Sequence, residues 1–458
     1  MRLMLFYGLG DAGTGLAASQ LGFYLFVFFT CTAGLDPFIA GSLLMLIKVW
    51  DGINDPLIGW LSDHTNTRWG PRIPWMVGSA VPLGLSLSAI WWVPDIEIPG
   101  IASNQKIFYY ALIAIILMTA YTGVNLPYAT LASEITKKTN IRTSLNASRF
   151  TGSILASLTG LFIAWELTKF GAEGYIKMGQ VTGLIAIVTT LICCWGLAPF
   201  AKNAQKPQNN SEPIGVQFKR ISKNKKFLKV LGLYFLLWCG LQLMQTVALI
   251  YLVQVMRVPS SEATFGLIIF QVSALLGLQF WKIFSNKLTR IKALNFGSGL
   301  WILACIASMI LPPISNGDPT STLYLAPESS LINLYPLIAV VTLGGFGAST
   351  AYLMPWSFLP DAIDDDPEKP AGFYTAWMVL IQKIGMGLSM GFFGTLLKLA
   401  DFKTPEECSG ALTFINQPET ADFAIRCSMG LIPALLVILG VLIMRTWPET
   451  KYKISENS

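Results

Sequence analysis

Twelve stretches of this chain are each apolar over roughly 20 residues, the length a helix needs to cross the hydrocarbon core of a bilayer. They lie at about 4–30, 37–62, 74–94, 107–133, 144–166, 179–200, 228–256, 263–285, 293–313, 331–358, 372–400 and 423–447. In lipid every backbone polar group must be satisfied inside its own segment, so stretches of this length are helices. The chain is therefore expected to be an all-α integral membrane protein of twelve transmembrane helices. Only 13% of its 458 residues are charged and 53% are hydrophobic, where a soluble domain carries about a quarter charged. A single histidine, His64, excludes any site or mechanism that needs two.

Orientation follows from the lysines and arginines in the connections. One side collects Arg68, Arg72, Lys137, Lys138, Arg142, the run from Lys202 to Lys229, Lys282, Lys287, Arg290, Lys292 and Lys369. The other collects only Lys106, Lys169, Lys177, Arg257 and Lys403. The basic side also receives Arg2, Arg445, Lys451 and Lys453, so both termini are expected to be cytoplasmic and the membrane to be the plasma (inner) membrane. No cleaved leader is expected: Asp11 lies in the first span, with no small-residue cleavage site.

The longest connection, 201–227, is polar, basic and punctuated by proline, and it divides the spans six and six. The expected organisation is a six-helix bundle over 1–200, a cytoplasmic basic linker over 201–227, and a second bundle with a short tail over 228–458. Two such halves suggest a transporter built on an internal repeat. An echo of that repeat joins LPYATLASEI (Leu126 to Ile135) with MPWSFLPDAI (Met354 to Ile363). Both hold a proline, an aromatic, a leucine and an acid near the cytoplasmic end.

Ionisable groups inside spans are costly and mark ion or solute pathways. The second span holds Lys48, Asp51 and Asp55 in IKVWDGINDPLIGW. Asp51 and Asp55 share one helical face, with Asn54 beside it. Two carboxylates and an amide oxygen are hard ligands suited to sodium, lithium or a proton. A buried ion pair that only locks helices is the plainer alternative, but two acids against one lysine leave spare negative charge. The fourth span adds Thr122 and Asn125 on one face, followed by Pro127. Arg149, in the fifth span, either snorkels to the interface or pairs with an acid. Gln382 and Lys383 sit deep in the eleventh span, where the lysine needs a counter-charge; Asp51 or Asp55 is the natural partner. Asp11 and Gln20 are both polar cavity candidates in the first span, although Asp11, near the cytoplasmic end, is equally explained as a helix N-terminal acid that needs no further role.

These residues resemble the signature of the glycoside–pentoside–hexuronide cation symporters of the major facilitator superfamily, of the sodium/melibiose permease type. The match rests on WDGINDPLIGWLSDHTNTRWGPRIPW, the YGxG start (Tyr7, Gly8, Gly10), PYATL in the fourth span, Arg149 and Lys383. The resemblance implies a major facilitator fold and cation ligands at Asp51, Asn54, Asp55 and Thr122. It implies coupling roles for Lys48, which stands where the family has an arginine, and for Lys383. Arg149 corresponds to an arginine lining the inner cavity. The two acids and the tryptophan that hold a galactoside in the family are replaced by Gly15, Asn125 and Ala129. The cavity is thus expected to be wider and less negative, lined by Gly15, Gln20, Asn125, Ala129, Arg149 and Gln382.

The expected activity is cation-coupled symport of a sugar or related small solute, with sodium or a proton as coupling ion and no resident cofactor. Relatives that carry lysolipids keep an amphiphile open as substrate, and a non-transporting sensor or pigment-binding protein is the third reading. No nucleophile–base pair, phosphate loop or metal cluster supports an enzyme. The partners expected are a small-molecule substrate and membrane lipid, with no nucleic acid, and the chain is expected to be a monomer. Cys408 and Cys427 flank the outer connection between the last two spans and could pair if it faces an oxidising space, with chance placement as the alternative.

Overall fold

The computed structural model describes residues 2–94, 102–135, 139–201, 219, 222–314, 328–366, 371–404, 412 and 414–448. Among them every regular element is a helix. The first span consists of α1 (Arg2–Leu9) and α2 (Ala12–Val27), parted at Gly10 and Asp11. Then come α3 (Pro37–His64), α4 (Ile73–Ile90), α5 (Ala102–Ile135), α6 (Thr139–Leu167) and α7 (Gly171–Ala201). The second set is α8 (Lys225–Ile250), α9 (Ser260–Lys287), α10 (Arg290–Ile310), α11 (Glu328–Ala348), α12 (Thr350–Asp364), α13 (Ala371–Leu399), α14 (Glu419–Met429) and α15 (Leu431–Met444).

Local chemistry sets several of these boundaries. The Asp36 carboxylate accepts from the Phe38 N–H at 2.8 Å, with Pro37 at the first helical position, and so starts α3. Asn224 caps α8 by accepting from Phe227 N–H at 2.9 Å, and Thr289 caps α10 through Lys292 N–H at 3.2 Å.

Ten described stretches are long and apolar enough to cross a membrane. One of them, the 51-residue Thr151–Ala201, holds both α6 and α7, which meet at Gly171 with φ +68°. The 28-residue α3 stands outside the ten because Lys48, Asp51 and Asp55 dilute its apolar character. Counting α3 and separating α6 from α7 gives the twelve spans the sequence predicts. Most of the 201–227 connection, like Lys137, Lys138 and Cys408, lies outside the described residues. Cys427 is a free, buried thiol, so the Cys408–Cys427 pairing is not formed.

Helices α1–α7 pack chiefly among themselves, as do α8–α15. Where the sets meet, α3 lies along α13, α2 along α8, and α6 along α9. At the end away from the termini the two sets share one apolar core, in which Phe26 and Phe28 of the first join Leu249, Val253 and Phe393 of the second. Tyr24 and Thr264 hydrogen-bond across this seam at 2.5 Å. Toward the termini the cores separate: Tyr7, Tyr128 and Leu197 belong to one, Tyr234, Phe358 and Trp447 to the other.

The repeat is visible in the backbone. The first span ends in a π-helical turn, Phe28–Thr32, and α8 ends in another, Tyr251–Val255. Each is followed by a left-handed residue, Gly34 (φ +68°) and Arg257 (φ +56°). Hydrogen bonds match one for one: Ala33 N–H to Phe28 O and Leu35 N–H to Phe29 O, then Met256 N–H to Tyr251 O and Val258 N–H to Leu252 O.

The acids of the two echoing segments also take equivalent partners. Arg72, at the start of α4, binds Glu134 at the end of α5 at 2.6 Å and Asp63 at 2.5 Å. Arg290, at the start of α10, binds Asp361 near the end of α12 at 2.5 Å. Arg72 is nearly inaccessible, so Arg72→Ala would strand two carboxylates, one of them buried. The expected cost is about 3 kcal/mol or more, read as a lower thermal midpoint of the purified protein. An unchanged midpoint would show that water already screens these acids.

Candidate cation and solute site

The deepest charges gather where α3 and α13 run side by side. Lys383 Nζ lies 2.9 Å from Asp51 Oδ1 and 2.6 Å from Asp55 Oδ2. It also donates to the Asp51 carbonyl at 3.3 Å and to Asp55 Oδ2, while Asp51 Oδ1 is held by charge alone. The counter-charge that the depth of Lys383 requires is thus both carboxylates at once. Thr122 of α5 brings its hydroxyl to 3.3 Å from Asp51 Oδ1 and 3.1 Å from Asp55 Oδ1. Asn54 is buried beside them. Its amide N–H donates to Met118 O at 3.4 Å, while its Oδ1 is buried with no donor. Six side-chain oxygens on these four residues, among them the unused Asn54 Oδ1, form a hard donor set of the kind that holds an alkali cation or a proton.

Lys48 lies near enough to Asp51 and Asp55 to interact with their charge without touching either. Among the described residues it makes no ion pair; its Cβ packs on α13, where a Cβ built on Gly387 would meet it at 3.1 Å. The lysine that neutralises the acids is Lys383, which reaches them from the other half.

A second polar cluster lies one turn along α5. Arg149 donates through Nε to Asp11 Oδ2 at 3.1 Å and through Nη2 to Asn125 Oδ1 at 3.4 Å. Asn125 donates to Asp11 Oδ1 at 3.2 Å, and Thr14 donates to the same oxygen at 2.7 Å. The Arg149 guanidinium also lies over the Tyr128 ring, 5.3 Å from its centre. Arg149 is therefore paired with an acid. Asp11 corrects the sequence reading: it is 5% exposed, its side chain caps no helix, and it sits at the break between α1 and α2. Its place near the cytoplasmic end of the span concealed both its burial and its partner. The cluster of polar residues on α5 and Arg149 on α6 was the available signal.

Two cavity expectations change, those for Gly15 and Gln20. Gly15 opens no space, because a Cβ there would meet the Ser153 carbonyl at 2.8 Å and its Oγ at 2.9 Å; α2 and α6 touch at this point. Gln20 is fully buried between helices, donating to Gly160 O at 3.1 Å and accepting from Thr182 at 2.9 Å. Gln382 accepts from the Tyr234 hydroxyl at 2.8 Å, within the second half. Ala129 is half-buried one turn beyond Asn125.

A separate, small apolar cavity of about 40 Å³ lies mainly in the second half, with Phe23 of the first half on its wall. Its walls include Phe23, Met244, Ala248, Leu267, Phe270 and Val341, with Gln245 and Ser308 among its few polar residues.

The helices around paired carboxylates and a cross-half lysine are those of a solute carrier, and the sequence agrees. Residues 6–451 match the family described as MFS/sugar transport protein. The chain belongs to that family. This member of the MFS/sugar transport family is a transporter and not an enzyme. It is 29% identical to an uncharacterized symporter of Synechocystis over 98% of this chain and 94% of the relative. It is 24% identical to sodium-dependent lysophosphatidylcholine symporter 1 of Gallus gallus, over 99% of this chain and 87% of the relative. A solved structure of the nucleoside transporter NupG superposes with a TM-score of 0.69 at 14% identity, covering 97% of this chain and 99% of that one. That likeness establishes the major facilitator fold.

Proposed function

We propose that this transporter is a cation-coupled symporter, of the glycoside–pentoside–hexuronide type, whose solute is an amphiphile with one acyl chain. The apolar cavity carries this reading. A sugar held there would leave its hydroxyls without partners, at roughly 2–7 kcal/mol for each group buried unpaired, whereas an acyl chain has none to satisfy. The similarity to a lysophosphatidylcholine symporter supports the same choice.

The cation, sodium or a proton, is taken by Asp51, Asn54, Asp55 and Thr122, and its arrival releases Lys383. With both termini cytoplasmic in the plasma (inner) membrane, the shared core closes the outer end, and the solute path opens inward. The chain acts as a monomer, with its halves at 1–200 and 228–458 rocking about the α3–α13 seam. The test is uptake into proteoliposomes under a sodium or a proton gradient, with lysophosphatidylcholine and melibiose as the two solutes. Gradient-dependent entry of lysophosphatidylcholine alone is expected. Accumulation of melibiose alone would replace this reading by sugar symport, which the description of the family favours.

Lys383→Ala should separate movement from coupling. Without the lysine, the empty carrier must return with two uncompensated carboxylates in the membrane, a costly state. Net uptake is expected to fall about tenfold or more, with solute exchange across the vesicle retained. Equal losses of both would make Lys383 a purely structural residue.

A further inference from the structure

We infer that Cys31 and Cys408 form a disulfide that joins the two halves covalently across the outer end. The inference is independent of which solute is carried.

Cys31 stands in the π-helical turn that ends the first span, 7% exposed and held in a disulfide. The chain has seven cysteines, of which Cys193, Cys194, Cys239, Cys305 and Cys427 are free thiols. Cys408, which lies outside the described residues, is the one that remains. The bond thus runs from the first half to the second, in place of the pairing within the second half that the sequence suggests.

The described residues on either side of Cys408 are anchored where Cys31 lies. At the end of α13, Lys398 Nζ is 4.0 Å from Asp36 Oδ1 and 5.1 Å from the centre of the Phe38 ring. Asp36 and Phe38 follow Cys31 at the start of α3. Lys403 and Gln417 then close the base of the connection, each backbone meeting the Gln417 amide, at 2.9 and 2.8 Å. Beyond Cys408, Leu412 is buried in the shared apolar core that also holds Cys31. Ile415 N–H donates to Gln254 Oε1 at 3.1 Å, and the Arg257 guanidinium lies 4.9 Å from the centre of the Phe414 ring. Both anchors belong to the π-helical end of α8, the counterpart of the turn that carries Cys31.

The chemistry suits the place. This end is the one expected to face away from the cytoplasm, and disulfides persist in oxidising spaces. Formation takes one hydrogen from each thiol, two electrons and two protons in all. They pass by thiol–disulfide exchange to a disulfide-bearing oxidant of that compartment, which leaves as two thiols. The bond closes a loop spanning most of the chain, so it restricts the unfolded state more than a local bridge does. Rocking of the halves at this end becomes motion on a tether.

The experiment uses the full chain with a protease site inserted in the 201–227 connection, expressed in a bacterial inner membrane. Free thiols are blocked with N-ethylmaleimide before solubilisation, so that no bond forms afterwards. After cleavage, a denaturing gel without reductant is expected to show the halves as one species. A phosphine, which takes oxygen from water and returns both thiols, should resolve them into two. Cys31→Ser and Cys408→Ser should each give two fragments without reductant, whereas Cys427→Ser should not. Two fragments from the unreduced parent chain overturn the inference, as does a single species from Cys31→Ser or Cys408→Ser. If a serine variant does not accumulate, peptide mass mapping of the unreduced parent decides. A linked pair of peptides holding Cys31 and Cys408 supports the bond, and maleimide on Cys31 overturns it.

Discussion

Asp55→Asn is expected to abolish gradient-driven uptake while the protein still inserts and elutes as a folded species. Asp55 receives the shortest Lys383 contact, 2.6 Å, and a Thr122 contact at 3.1 Å. The amide keeps the shape and removes one of the two negative charges available to a cation. Lys383 then has Asp51 alone, 2.9 Å away, and neutralises it. A cation arriving at this site meets no net attraction. Loss of charge-assisted contacts worth about 1.5–3 kcal/mol each lowers cation affinity by about a hundredfold or more. Accumulation against a gradient should vanish, whereas downhill counterflow of solute persists. A variant that still concentrates solute would place the cation elsewhere in the chain.

Gly394→Val should be as damaging for a different reason. Gly394 of α13 and Gly41 of α3 meet backbone to backbone at the end away from the termini. A Cβ on Gly394 would lie 2.9 Å from Gly41 Cα and 3.1 Å from its nitrogen, and would also strike the Pro37 carbonyl. These are main-chain atoms, so no side-chain rotation relieves the contact; the helices must part. The closed end then cannot close, and transport is expected to stop, with thiol reagents gaining access to a cysteine placed at Tyr24. Normal uptake by the valine variant would show that this seam never tightens during the cycle.

The features legible in the sequence were those that depend on composition or on spacing along one helix. Apolar length gave the spans, and the four-residue interval gave Asp51 and Asp55 a common face. Lys383 announced its need for an acid because a lysine at that depth has no water to reach. The missing features depend on the distance between helices. Gly15 looked like a vacated ligand position and is a contact with Ser153. Gln20 looked like a cavity wall and is a bridge between Gly160 and Thr182. Asp11 could be read as an end-group because it stands near the cytoplasmic end of its span, and position along one helix does not reveal that it faces Arg149 on another. Lys48, closest in sequence to the acids, acts on them through space, and the direct ion pairs come from Lys383 in the other half. The duplicated π-helical turns left only a faint residue pattern, since FFTCT and YLVQV share an aromatic first residue and β-branched third and fifth residues but no identical one.

The ion pair that spans the seam also bears on how the protein is made. Lys383 belongs to the second half and both its acids to the first, so during synthesis Asp51 and Asp55 enter the bilayer some 330 residues ahead of their partner. Until α13 emerges, the first half holds a doubly charged site, with Lys48 as the cation on its own helix. An ammonium or carboxylate at the centre of a spanning helix costs about 2.5–3.5 kcal/mol by insertion scales. Each half made alone is therefore an incomplete client, marked for retention by chaperones or removal by membrane proteases. Two separately expressed halves should accumulate only together, the later one rescuing the earlier from degradation.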